Sequence, residues 1–205
     1  MVIRMCDSNR IYISLVYEDQ IHGVVLKRIL PVNFSVVSPM QLGGRSKIET
    51  RILGYNSACQ SHPYFVLIDL DTDACAPSLL PGLFPHGKHP NMIFRVAVHE
   101  VEAWLLADAE AFSRHTGIGV ANIPTCPDDL PDPKQTLINL VRAKARKSIR
   151  EAIVPRQGST ATIGRSYNDE LSKYVQHSWR PDVARRHSPS LDKAVAALEA
   201  FRATV

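Results

Sequence analysis

The stretch PYFVLIDLDTDAC, residues 63–75, decides the fold. Phe65, Val66, Leu67 and Ile68 run without interruption into three acids at alternating positions, Asp69, Asp71 and Asp73. An unbroken apolar run with β-branched members reads as a strand buried on both faces, the pattern of a parallel sheet. Three carboxylates so close together repel one another and resist desolvation, so a positive charge is expected beside them.

The neighbouring sequence repeats the theme. IYISLVYED, residues 11–19, is a strand closing in Glu18 and Asp19. IHGVVLKRIL then places Ile21, Val24, Val25 and Ile29 at helical spacing before Pro31 stops it. FSVVS is a short second strand, Gly43-Gly44 a turn, and RSKIETRILGY, residues 45–55, a helix ended near Gly54. Beyond the 65–68 strand a Pro- and Gly-interrupted segment reaches His89. NMIFRVAVHE, residues 91–100, is a fourth strand, and VEAWLLADAEAFSRH a helix ending at Gly117, with Trp104, Leu105 and Leu106 in the core. Strands alternating with helices predict an α/β domain with a mainly parallel four-stranded sheet and right-handed crossovers.

After Gly117 the character changes. GIGVANIPTCPDDLPDP holds four prolines and reads as a connector. Helical patterns follow at residues 134–153, 168–179 and 190–203, the last with N-cap chemistry from Ser188. The expected division is an α/β domain over residues 1–118 and a connector with a helical extension over residues 119–205. Those helices look too few and short to stand alone, so they are expected to pack on the sheet domain.

At 205 residues the chain can bury a sizeable core, and its 45% hydrophobic and 21% charged content excludes the disordered and fibrous classes. No apolar run approaches the roughly 18 residues of a membrane span. The N-terminus, MVIRMCDSNR, turns polar too early for a signal peptide. Cys6, Cys59, Cys75 and Cys126 form no Cys-x-x-Cys pair, which fits reduced, structural thiols in the cytoplasm. The formal charge of +4 is unevenly spread. Residues 134–156 carry Lys134, Arg142, Lys144, Arg146, Lys147, Arg150 and Arg156 against the single acid Glu151, so the rest of the chain is net acidic.

In an open parallel sheet, ligands bind beyond the carboxyl ends of the strands. Three strands are expected to end there in acids: Glu18 and Asp19, Asp69 and Asp71, Glu100 and Glu102. Carboxylate oxygens suit hard divalent cations, and Mg²⁺ (or Mn²⁺) between carboxylates and a phosphate serves phosphoryl chemistry. Such an ion would be the missing positive charge. Asp73, before APSLL, suits a helix cap better than a ligand. The pair His86 and His89 lacks the cysteines of a usual zinc site.

A Glu after the first strand and an Asp-x-Asp after the third resemble the Toprim fold. The pieces LVYEDQIHGVVLKRIL, FVLIDLDTD and FRVAVHEVEAWLLAD carry the resemblance, and GRSYNDEL and SPSLDKAVAAL extend it over most of the chain. They are similar to small bacterial Toprim-like proteins related to OLD-type nucleases and often encoded beside ATPases. The resemblance implies a Rossmann-like sheet and hydrolysis of phosphodiester bonds in DNA or RNA. It makes Glu18 a metal ligand or general acid/base, Asp69 and Asp71 the metal-binding pair, and Glu100 and Glu102 the later acidic motif. Two positions depart from the pattern: Asp19 stands where Gly is common, and His22 where OLD-like members tend to place another acid. These departures count against full two-metal occupancy and leave open either two ions or one ion with a weaker second site.

The basic run RAKARKSIR would on its own be a solvated helix face as often as a binding site. Beside an acidic metal site, Arg142, Lys144, Arg146, Lys147 and Arg150 become candidates for holding a polyanion through phosphate contacts. Lys134 or Arg165 could stabilise charge developing on the scissile phosphate. The partners so implied are nucleic acid, an ATPase encoded nearby in an antiviral defence system, and further copies of the chain, with no membrane. Two other readings compete. A haloacid-dehalogenase-type phosphatase would use Asp69 as nucleophile and Asp71 as acid/base, but Asp73 stands where that motif wants Thr or Val. A non-catalytic Toprim-derived module binding nucleic acid or an ATPase is the other, and Asp19 and His22 favour it.

Overall fold

The structure is a computed structural model that describes residues 10–72 and 75–204. Asp73, with its expected cap role, and Cys6 lie outside those residues. Four strands, β1 (Ile11–Tyr17), β2 (Phe34–Gln41), β3 (Tyr64–Asp69) and β4 (Met92–Ala97), form one sheet in the order β2-β1-β3-β4, every pair parallel. This is the Rossmann-like α/β arrangement expected, with the helices of the C-terminal part packed against it.

Alternation along β3 explains its unbroken apolar run. Phe65 and Leu67 join a core with Leu15, Tyr17 and Ile93 on one face, while Val66 and Ile68 join Val16, Met92 and Phe94 on the other. The first face is covered by α1 (Gln20–Ile29), α5 (Val101–Leu106) and later helices, the second by α2 (Arg45–Glu49), α3 (Ile52–Ala58) and the neighbourhood of α4 (Ala76–Leu83). Each fully buried Leu, Ile or Phe contributes about 1.5–3 kcal/mol, so a strand apolar on both faces anchors the whole sheet. The chain moves from β1 outward to β2, crosses back to β3 and continues to β4. The switch point therefore falls between β1 and β3, where the acids were expected to meet.

The helical extension comprises α7 (Pro133–Lys144), α8 (Lys147–Ile153), α9 (Tyr167–His177), α10 (Pro181–Ala184) and α11 (Pro189–Ala200). It shares the first-face core: Trp179 Nε1–H donates to the Trp104 carbonyl, and Trp104 Nε1–H to Ser190 Oγ at 2.7 Å. Ser188 caps α11 through the Leu191 amide.

Several boundaries differ from the sequence reading. The helix expected over residues 101–115 is two, because buried Asp108 caps α6 (Ala109–Thr116) through the Ala111 amide. The pattern at 134–153 breaks before Lys147, where the Arg146 amide bonds the Thr116 carbonyl. Residues 45–55 divide into α2 and α3, and Gly54 lies inside α3 instead of ending it. β4 stops at Ala97, short of the acids. The Pro-interrupted segment holds α4, with Pro77 in its first turn, where a missing N–H costs nothing. Gly117 adopts φ +81°, and a Cβ there would meet Arg146 Cγ at 2.8 Å, so this helix end needs glycine. Among the described residues no helix is long and apolar enough to cross a membrane.

Candidate metal centre

Glu18 follows β1, and its Oε1 accepts the Asp69 backbone N–H at 2.8 Å, tying the carboxyl ends of two adjacent strands together. Asp19 is the N-cap of α1: its Oδ1 accepts from the amides of Ile21 and His22. That cap fixes the first turn and turns His22 inward, where it is 1% exposed. His22 Nδ1 lies 2.8 Å from Asp19 Oδ1 and Nε2 lies 3.0 Å from Asp69 Oδ1. Asp69 Oδ1 also accepts the Val101 N–H at 2.9 Å, so the β3 carboxylate sits against the start of α5.

The charges follow from these contacts. Burial pulls the His22 imidazole down, but Asp69 and Asp19 outweigh it and hold the ring protonated well above its ordinary range. Burial pushes the Asp19 carboxyl up, yet the His22 hydrogen bond and charge prevail and set it at about 2. Glu18 is raised by burial, with the Asp69 amide opposing. An imidazolium is thus a positive charge beside the β3 acids, in the position the sequence left open for an ion.

One ligand atom each from Glu18, His22 and Asp69 lies within 4.8 Å of the other two, so these residues could hold a metal ion. The donor set fits one once His22 gives up the Nε2 proton it shares with Asp69, because an imidazolium has no lone pair for a metal. Ligand atoms about 2.1 Å from a common ion lie at most about 4.2 Å apart, so the trio would close slightly on an ion, and Asp19 behind His22 fixes the ring as carboxylates do behind metal-ligating histidines. Two carboxylates with an imidazole suit Mn²⁺ at least as well as Mg²⁺, which prefers oxygen alone. The surroundings carry excess negative charge: Glu18, Asp19, Asp69, Asp71, Glu100 and Glu102 against His22, Arg45 and Lys134.

The other expected ligands lie around this trio. Asp71 has φ 54°, a left-handed conformation that Asp adopts more readily than most residues, fixed by its N–H to the His99 carbonyl. Its half-exposed carboxylate lies 3.9 Å from Arg45 Nη1, and its charge reaches Glu18. Glu100 grips Lys134 twice, through the backbone N–H at 2.8 Å on Oε2 and Nζ at 3.1 Å on Oε1. Glu102, 1% exposed, accepts from the Tyr167 hydroxyl at 2.7 Å on Oε1, with Lys134 Nζ 3.6 Å away, while its Oε2 is buried with no hydrogen-bond partner. Burial pushes Glu102 up to about 7 against the pull of Lys134. Burial likewise lowers Lys134, but Glu102 and Glu100 outweigh it and keep the ammonium charged. Arg165 is exposed on the segment before α9 and makes no ion pair with this cluster.

The basic run leads away from the site along α7 and α8. Lys134 opens α7 at the acids, and Arg142 comes about 12 Å further along the helix axis. Arg142, Lys144, Lys147 and Arg150 are exposed; Lys144 donates to Asn122 Oδ1 and Arg150 to the Ala145 carbonyl. Arg146 is committed elsewhere, closing the end of α6 through the carbonyls of Arg114 and His115.

Sequence reasoning treated His22 as a lost acid, and it is the centre of the cluster. The signal was its spacing: three residues after an N-capping Asp and four after Glu18, it returns to the same helix face. Arg45 and Tyr167 carried no such signal, because only the fold brings α2 and α9 to this edge.

No family model matches the chain, and neither a curated protein nor a solved structure matches it. The fold and the centre stand on this chain's own residues.

Proposed function

We propose that the chain is a metal-dependent nuclease of the Toprim type, hydrolysing phosphodiester bonds of DNA or RNA with Mg²⁺ or Mn²⁺. The observation that carries this reading is the convergence of Glu18, His22 and Asp69 at the switch point of a parallel sheet, in net negative surroundings. A phosphodiester is itself anionic and would be repelled from such a site without a cation. A divalent ion there supplies Lewis-acid polarisation of a phosphate oxygen. Glu18, tied to the Asp69 amide through Oε1, keeps Oε2 for the proton of an attacking water. Asp69 and His22, with Glu18 beside them, would hold the ion, and Asp19 would hold His22. The exposed cations of α7 and α8 supply phosphate contacts that carry no sequence information. The Toprim resemblance adds an ATPase partner, a place in a cytoplasmic antiviral complex and assembly with further copies of the chain.

The test is Asp69→Asn, which keeps shape while removing one ligand charge. Mn²⁺ affinity is expected to fall at least tenfold and polynucleotide cleavage, assayed with any ATPase partner, to vanish while the fold persists. Cleavage at the wild-type rate would sink the assignment. Hydrolysis of a small phosphomonoester in place of a polynucleotide would favour the phosphatase reading.

One observation favours a second reading. His22 already gives Asp19 and Asp69 a positive partner without an ion, as a non-catalytic module would require. Nucleic-acid binding with no cleavage at saturating Mn²⁺ would decide for the module.

A further inference from the structure

Beside the Glu18, His22 and Asp69 trio, Lys134 sits between two further carboxylates. Glu100 spends both oxygens on Lys134, one on the backbone N–H and one on Nζ, which fixes the ammonium at the start of α7. Asp132 caps the same turn through the Gln135 amide, and Pro133 opens it, so the lysine stem leaves a rigid point. Nζ then lies 3.1 Å from Glu100 and 3.6 Å from Glu102, and the Asp69 charge reaches it as well. The ammonium leaves this set incompletely served: Glu102 Oε2 stays buried without a partner. Two carboxylates flank the ammonium and one of their oxygens is orphaned, an arrangement that a cation with about six ligands would draw on more fully.

We propose that Lys134 is a tethered cation standing in the place of a second metal ion, so that the chain takes one divalent ion, at Glu18, His22 and Asp69, and reserves Glu100 and Glu102 for its own ammonium. The inference rests on the metal-centre reading for the first ion, but concerns a separate position. It gives the fixed positive charge beside the scissile phosphate a reason to be lysine: a permanent charge needs no free metal.

The experiment counts Mn²⁺ bound per chain at pH 8 from the loss of the free aqua-ion signal in electron paramagnetic resonance. Wild type is expected to bind one. Lys134→Met, close in size and uncharged, is expected to bind one more than wild type. Lys134→Arg is expected to match wild type, and Lys134→Met with Glu102→Gln to lose the extra ion. A wild type binding two ions overturns the proposal, as does a folded Lys134→Met with an unchanged count. If Lys134→Met does not fold, Glu102→Gln alone decides. An unchanged count supports the proposal, because Glu102 then serves only the lysine, and a count lower by one overturns it. A wild type binding none would sink the first-ion reading, and the change on removing Lys134 would still be read separately.

Discussion

Glu102 lies in the first turn of α5 and Asp108 just beyond its end; both are buried, and they are treated oppositely. Asp108 Oδ1 accepts from the Ala111 amide at 3.2 Å and Arg180 Nη2 at 2.6 Å, while Oδ2 accepts from Arg180 N at 3.0 Å and Nε at 2.9 Å. Burial pushes that carboxyl up, but Arg180 and the amides outweigh it and hold it below its ordinary value. Glu102 has one hydroxyl, a lysine at 3.6 Å and an orphaned oxygen, and burial sets it at about 7. A carboxylate that joins elements of the fold has its lone pairs served by the chain. At the sheet edge the chain leaves acceptors open, a cost that stability alone does not explain.

The largest expected effect tests the saturated side. Asp108→Ala removes the α6 cap and the charged bonds to Arg180, so urea unfolding should show a loss of about 3 kcal/mol with Mn²⁺ binding unchanged. Because the folded value is depressed, this stabilisation is present above the unfolded value of about 4 and is lost as pH falls through the folded one. The gap between wild type and variant should therefore close in acid. A gap independent of pH would mean that the cap alone, not the ion pair, carries the effect.

Next comes Tyr167→Phe, which strips the one short hydrogen bond from Glu102 and should cost about 1–2 kcal/mol. A neutral result would show that Glu102 has another partner, which would erase the contrast with Asp108. Smaller again is Glu102→Gln. The folded value of Glu102 is raised, so wild type loses stability as pH climbs from about 4.5 toward about 7. The variant lacks this titration and should gain on wild type over that window, read from urea midpoints at pH 5 and pH 8. Parallel midpoints would place Glu102 in a far more polar setting.

The smallest effect on stability, within about 0.5 kcal/mol, is expected from replacing the exposed Arg142, Lys147 and Arg150 with Gln. If these residues hold nucleic acid, each lost phosphate contact should lower the slope of log K against log salt by about one. An unchanged slope would reduce the run to a solvated helix face. Arg146 is excluded because it holds the end of α6.

The parallel character of the sheet and the acids after β1 and β3 were legible in the sequence because they are local. Period-two burial writes itself into Phe65–Ile68, helical spacing into Ile21–Ile29, and an acid after a strand lies at its carboxyl end whatever surrounds it. Helix breaks were less legible. Residues 101–115 keep one amphipathic pattern across Asp108, and only Arg180, distant in sequence, shows why the chain turns there.

The partners of the acids were decided by the tertiary structure alone. Sequence supplied the demand for positive charge beside Asp69, but not its source, since opposite charges find one another through space and not along the chain. Packing of α1 on β3 delivers His22 to Asp69, the entry of α7 delivers Lys134 to Glu100, and α9 brings Tyr167 to Glu102. Burial then sets the charge state of each group, because desolvation depends on how many neighbours exclude water and not on residue type.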